Sequence, residues 1–285
     1  MSNQQAEATS SFSSERQPLV IATRLHLGKA SAPPPIEKLE SQVRSFSSLI
    51  GPSHKGLIAV DATPKLEGYD LVSTVQSCVD RILLTKTNAP KEKLSQRPPQ
   101  IEIIPVTPWR SFCPALNALV SYAKVNDYEK IGFVSAEVQA SSETIDKLST
   151  YLDGNDDTLM AGAALPGHLY EANTLQALGG RTCPWNTLAI WNVRKLALVG
   201  FPLVSDMPPS AGIEEVATVA ILQSLIGRDE AKCKLVNLSG ISWDEGFQDP
   251  ERKAWHEQKM ASKAQRAESQ LSQFPNKLGG TVHHI

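Results

Sequence analysis

From residue 18 to residue 165, short apolar runs alternate with longer stretches of helical period, and few architectures accommodate that alternation. Residues 18–25 (PLVIATRL), 56–60 (GLIAV), 101–106 (IEIIPV), 130–134 (KIGFV) and 158–165 (TLMAGAAL) are largely apolar and mostly rich in β-branched side chains. Such runs are expected of strands buried on both faces. The intervening segments carry a different period. Ile36, Leu39, Val43, Phe46 and Ile50 recur at helical spacing after the prolines 33–35. Proline suits a helix start because its missing N–H would have no partner there. Residues 71–84, 115–125 and 143–152 read as further helices. Strands joined through helices by short connections predict an α/β chain, a three-layer α/β/α arrangement around a mostly parallel central sheet. Ligands bind such sheets at the carboxyl ends of the strands. That rule points to Thr23 and Arg24, to Asp61, and to Ser135 through Glu137.

Beyond residue 166 the pattern is less regular. Residues 186–191 (NTLAIW) and 233–238 suit strands, 193–198 a short helix, and 214–226 a good helix with Gly227 at its C-terminal cap. A long polar amphipathic helix is expected over 250–274, with the last ten residues frayed. Residues 1–16 are Ser/Gln-rich and read as a disordered tail, and 86–100 as an exposed basic loop. The expected organisation is a tail (1–16), one α/β domain (17–249), and a C-terminal helix with a frayed end (250–285).

Composition narrows the function. Hydrophobic residues at 41% and charged residues at 20% fit a packed core rather than a disordered chain. A net charge of −2 argues against bulk binding to nucleic acid or an anionic membrane. No run approaches the roughly 18 apolar residues of a membrane span, so no integral membrane segment is expected. The N-terminus lacks the basic and apolar regions of a signal peptide, which favours a cytoplasmic location. Four cysteines without a C-x-x-C argue against a paired-cysteine zinc site and a disulfide framework. The charge is segregated, with 14 basic and 10 acidic side chains in 1–125, 8 and 17 in 126–250, and 6 and 3 in 251–285. A compact site for a small anion is compatible with that division. The P-loop, the G-x-G-x-x-G fingerprint, the G-x-S-x-G elbow and H-E-x-x-H are all missing from the sequence.

One order of motifs is more specific. A strand (IEIIPV) precedes a helix beginning PALNALVSYAKV. A strand KIGFV, the segment SAEV and a helix SSETIDKLSTYL follow. This order resembles the inverting GT-A glycosyltransferases of the family-2 type, in which an A-R-N element precedes a strand ending in a D-x-D metal motif. Ala115-Leu116-Asn117 and Ser135-Ala136-Glu137 stand at those two elements. Further on, 186–191 with VRKLALVGFP resembles the family's strand, arginine-and-helix and G-G-F segments. Gly212-Ile213-Glu214-Glu215 resembles its E-D motif. The resemblance covers about residues 18–245. It implies a GT-A-like nucleotide-diphospho-sugar fold and a hexosyltransferase-type activity, moving sugar from a nucleotide-diphosphate donor to an unidentified acceptor hydroxyl with inversion. The chain departs from the family at Leu116, at Ser135 and Glu137 of D-x-D, and at the Glu214-Glu215 pair. One carboxylate and a hydroxyl are few ligands for a hard cation. The Mg or Mn that the resemblance implies would therefore be held weakly, through Glu137, or be replaced by cationic side chains.

Each candidate also has a plainer reading. The resemblance gives Asp61 the nucleotide base, although Asp before Ala62-Thr63-Pro64 also suits a turn. Arg24, with Thr23, would meet ribose or phosphate, because guanidinium matches phosphate oxygens. Arg110 could offset diphosphate charge, whereas Trp109 more simply caps the core. Asn117, Ser135 and Glu137 take the family's donor-side positions. Glu215 takes the position of the base that removes the acceptor proton, with Glu214 beside it. Acids at a helix start are also favoured by the helix dipole. Trp185, with Asn186, is the acceptor candidate, since aromatic faces stack on sugars, although Trp185 and Trp191 could equally be packing residues. His26, His168 and His256 read as bystanders. Two alternatives remain. One is a catalytically inactive GT-A-like protein that binds a nucleotide sugar or a partner protein. The other is a nucleotidyltransferase, for which residues 24–35 offer only Gly28 and Lys29 of the basic Gly-rich loop such enzymes need.

Overall fold

A computed structural model describes residues 17–28, 30–87, 99–154, 156–208, 211–243, 254, 257–258, 260–276 and 278–285. The proposed tail (1–16), most of the basic loop and His256 lie outside the described residues, as do 250–253 at the start of the proposed last helix.

The strands form where the apolar runs stand. β1 (Gln17–Leu25), β2 (Lys55–Asp61), β3 (Gln100–Val106) and β4 (Tyr128–Val134) lie side by side in parallel, in the order β3-β2-β1-β4. Helices α1 (Ile36–Leu49), α2 (Leu71–Thr87) and α3 (Cys113–Val125) make the crossovers. The alternation within β1 shows why both faces must be apolar. Leu19 and Ile21 pack with Leu39, Val43 and Phe46 of α1, and with Val75 and Val79 of α2. Val20 and Ala22 pack on the opposite core with Leu116, Leu119 and Val120 of α3. A polar residue at any of these positions would be buried without a partner.

The rest of the sheet continues from β4. β5 (Val138–Gln139) pairs with β10 (Ser242–Trp243) in a separate small ribbon. Helix α4 (Ser142–Ser149) begins at Ser141, whose side chain accepts the Thr144 N–H, and a 3₁₀ turn over Thr150–Leu152 extends it. Then come β6 (Thr158–Ala163), β7 (Thr174–Ala177), β8 (Leu188–Asn192), α5 (Val193–Leu196), α6 (Glu214–Ile226), β9 (Lys232–Val236), α7 (Lys263–Ser272) and β11 (Thr281–His284). The full order is β3-β2-β1-β4-β8-β6-β9-β11-β7, nine strands. β8 is antiparallel to both neighbours, and β7 is antiparallel to β11. The expected mostly parallel three-layer sheet is present.

The expectation of a frayed end is corrected. β11 lies between β9 and β7, parallel to the first and antiparallel to the second. Val282 is fully buried in the same core as Ala267 of α7. Ile285 donates its N–H to the Leu235 carbonyl (2.9 Å), and its own carbonyl accepts from Asn237 N–H (3.1 Å) and the Tyr170 hydroxyl (2.7 Å). The C-terminal segment thus shares the core of the α/β body. All four cysteines are buried free thiols. Among the described residues no helix is long and apolar enough to cross a membrane.

Candidate functional site

The sheet order reverses at β1. The chain moves outward from β1 through β2 to β3, then returns to place β4 on the other side of β1. A reversal of this kind parts the crossovers and opens a crevice at the carboxyl ends of the two strands. A cleft of about 570 Å³ lies there. It brings together Thr23 and Arg24 from the end of β1, Ser135 and Glu137 after β4, Trp185 and Asn186 before β8, and Glu214 and Glu215 from the first turn of α6.

The two glutamates are the most buried charges in the cleft, at 3% and 4% exposure. Their helix start has no side-chain cap, so its free N–H groups and dipole favour acids there. Glu214 lies 3.6 Å from Arg24 Nη1 and accepts the Asn186 side-chain amide at 3.4 Å. Glu215 accepts the backbone N–H of Asn186. Burial, reinforced by the charge of Glu214, pushes the pKa of Glu215 up to about 8, against the opposing pull of the Asn186 N–H and the Lys263 ammonium. Asn186 is fixed in turn by Trp191, whose indole N–H donates to its side-chain oxygen at 2.9 Å.

On the other wall, Arg24 stands 5.3 Å from the Phe112 ring centre. Among the described residues, three buried polar atoms of cleft-lining side chains lack a hydrogen-bond partner: Thr23 Oγ1, Arg24 Nη1 and Trp109 Nε1. All three can donate. Bare buried donors are uncommon, because each keeps its desolvation cost without return. His26 lies against Trp109 with ring centres 5.5 Å apart.

Three other candidates are not among the residues that line the cleft. Asp61 does not line the cleft. Its Oδ1 accepts the Thr63 N–H at 3.0 Å in a local turn, and Oδ2 pairs with Lys65 at 2.5 Å. Burial alone would raise its pKa, but the bonds from Lys65 and Thr63 prevail and hold it low. Asn117 also lies outside the cleft lining. It donates to the Phe201 carbonyl (2.9 Å) and accepts the Phe201 N–H (2.7 Å), so both ends of its amide tie α3 to the Gly200 turn. Gly200 has φ +64°, and a Cβ there would come within 2.7 Å of Asn117 Oδ1. Arg110 is exposed, has φ +56° and is not among the cleft-lining residues.

Trp185 reaches the cleft but is only 2% exposed. The His168 ring stacks on it at 3.7 Å and Lys263 Nζ stands 2.9 Å from its ring centre, so the indole is packed between protein groups at the edge of the cleft. Its indole N–H donates to the Gly180 carbonyl at 2.9 Å. His168 is the loop histidine expected, and it packs against Trp185. Nδ1 accepts the Leu165 N–H, Nε2 meets the Cys183 carbonyl, and burial lowers its pKa to about 3.

Lys263 and Arg266 of α7 are absent from the sequence-based candidates. Lys263 lines the cleft, and Arg266 donates to the Ala211 carbonyl at 2.6 Å just before α6. Burial lowers the pKa of Arg266 while Glu214 and Glu215 oppose that effect, which places its charge in the field of both carboxylates. The one signal of this in the sequence is the basic excess of residues 251–285. At the position of the family's D-x-D, the Ser135 hydroxyl donates to the exposed Glu137 carboxylate. Among the described residues no group of three or more His, Cys, Asp or Glu could hold a metal ion.

No protein-family model matches the chain, and no curated protein matches it in sequence. Solved structures do match in shape. The mannosyltransferase PcManGT from Pyrobaculum calidifontis, in complex with GDP-Man and Mn2+, aligns at a TM-score of 0.56 and 10% identity, over 93% of this chain and 66% of that one. Glucosyl-3-phosphoglycerate synthase from Mycobacterium tuberculosis, in complex with phosphoglyceric acid, aligns at 0.49 and 11% identity, over 92% of this chain and 82% of that one. The chain thus spans just under two thirds of the length of the mannosyltransferase it matches. The sheet order and this alignment together give the chain a GT-A-like, nucleotide-diphospho-sugar-transferase fold.

Proposed function

We propose that the cleft binds a nucleotide-diphospho sugar and transfers the sugar to an acceptor hydroxyl by single displacement. The observation that carries this reading is the arrangement of one cleft. Buried donors of Thr23 and Trp109 without a hydrogen-bond partner, and Arg24, ion-paired with Glu214 at 3.6 Å, line the same cleft as a buried carboxylate pair. A diphosphate is rich in acceptor oxygens and would satisfy such donors. Glu215 is the base. Its carboxylate takes the acceptor's hydroxyl proton while that oxygen attacks the anomeric carbon. The bond from the anomeric carbon to the phosphate oxygen breaks, and its electron pair leaves with the nucleoside diphosphate. A carboxylate with a raised pKa is a stronger base than a solvated one, which suits this step near neutral pH. Glu214, paired with Arg24, links the donor side of the cleft to the base. PcManGT, a mannosyltransferase solved with GDP-Man, supports the choice of donor class.

A binding-only reading is favoured by one observation, the replacement of the acidic D-x-D pair by Ser135 and Glu137. Two measurements on one donor panel separate the readings. GDP-mannose, UDP-glucose and related nucleotide sugars are screened by thermal shift, and nucleoside diphosphate release is then followed with candidate acceptors. The account expects at least one donor both to stabilise the protein and to turn over. Stabilisation without turnover across the acceptor panel would select the binding-only protein. If no donor stabilises the chain, both readings fail.

A further inference from the structure

The cleft offers few oxygen ligands to a divalent cation, since among the described residues no group of three or more His, Cys, Asp or Glu could hold one. A hard cation such as Mg²⁺ or Mn²⁺ takes about six oxygen ligands, of which one or two are commonly carboxylates and the rest water and substrate phosphates. Each carboxylate here already has a protein partner. The Ser135 hydroxyl donates to Glu137, Arg24 and the Asn186 amide engage Glu214, and the Asn186 N–H engages Glu215. Asp61 is outside the cleft and paired with Lys65. Fixed positive charge is present instead. Arg24 from β1 and Lys263 from α7 both line the cleft, and Arg24 Nη1, though ion-paired with Glu214 at 3.6 Å, makes no hydrogen bond among the described residues.

Resting on the nucleotide-sugar reading above, we propose that this cleft takes its nucleoside diphosphate without a divalent cation, with Arg24 and Lys263 supplying the counter-charge. Guanidinium offers paired donors in a fixed plane, and ammonium a compact point charge. The two come from opposite ends of the chain, so the donor site is complete only when α7 is docked. Gly180 permits that docking, because a Cβ there would overlap the main-chain carbonyl of Lys263. Lys263 also packs on the Trp185 ring, which holds its amine beside the cleft.

The test is calorimetric titration of the full chain with GDP, UDP, ADP, CDP and dTDP in turn, once in excess EDTA and once in Mn²⁺. The proposal expects the best nucleotide to bind in EDTA with a Kd within about threefold of the Mn²⁺ value. It also expects Arg24→Gln and Lys263→Gln each to weaken binding in EDTA by at least about tenfold. Arg24 is partly exposed, so its variant stays informative if Lys263→Gln fails to fold. Binding that appears only with Mn²⁺, or that survives Arg24→Gln unchanged, overturns the proposal and leaves the nucleotide-sugar reading standing. No binding under either condition removes that reading and this proposal together.

Discussion

Glu215 and Glu214 adjoin in sequence and are both buried, so ionising the second charge is resisted by the first and by the loss of water. Two consequences follow for Glu215. As the base, it acts only when deprotonated, so kcat/KM should rise with pH through a midpoint well above the ordinary carboxylate range, towards 8. Initial rates from about pH 5 to about pH 9 read this directly, and Glu215→Gln should lower turnover by about 10²–10⁴ and abolish the rise. A midpoint near 4 would remove Glu215 from the role. The second consequence concerns stability. A carboxyl whose pKa is raised from 4.5 to about 8 binds its proton more tightly in the folded state. That contribution is full below about pH 4.5 and is lost as pH rises through about 8. Urea melts of the wild type should therefore lose stability across that window, on the order of a few kcal/mol, and Glu215→Gln should flatten the loss. Asn117 shows the opposite case. Its position in the motif suggested a donor ligand, but its amide nitrogen and oxygen each bond the Phe201 backbone. Asn117→Ala should cost about 2 kcal/mol, some 4–8 °C in Tm, because two peptide groups lose partners. Nucleotide affinity should stay the same, and a selective loss of affinity would restore the ligand role.

Among the elements, those buried on both faces are legible in the sequence itself. β1, β2, β4 and β6 are near-continuous apolar runs because a helix layer covers each side. β7 and β11 are not legible in this way. TLQA and TVHH carry little apolar signal, since only Val282 and His284 among these eight residues are buried. Their pairing is with strands distant in sequence, which no local window contains. The same limit hides Lys263. On α7 it reads as one charge on a polar helix, and only the packing of α7 against Trp185 and Gly180 brings it to the cleft. The residues at the ends of β1 and β4 and at the start of α6 are legible, because the parallel-sheet rule and the motif order both point to them. Trp185 is legible as a cleft residue but not its packing, since the contacts with His168 and Lys263 join segments that no local window contains. Removing residues 281–285 should be severe. It takes Val282 from the core and leaves the edges of β9 and β7 unpaired, lowering Tm by at least about 10 °C. A melting temperature equal to that of the full chain would show that β11 is dispensable.

At the scale of the whole molecule, the fold joins two unlike walls. The parallel half presents Thr23 and Arg24, while α6 and α7 bring a buried carboxylate pair with Lys263 and Arg266 around it. The charge segregation along the chain foreshadows this only coarsely, as a basic first segment, an acidic middle and a basic end. It cannot place Lys263 against Trp185 or pair Arg24 with Glu214, because those contacts join segments far apart along the chain. The central claim is that the crevice at the carboxyl ends of β1 and β4 is a nucleotide-sugar site whose reacting carbon faces Glu215. The most direct test is a crystal structure of the chain with the donor that stabilises it best. The account predicts diphosphate density within hydrogen-bonding reach of Arg24, with the anomeric carbon turned to the Glu215 side. A nucleotide bound elsewhere, or a sugar directed away from α6, would contradict it.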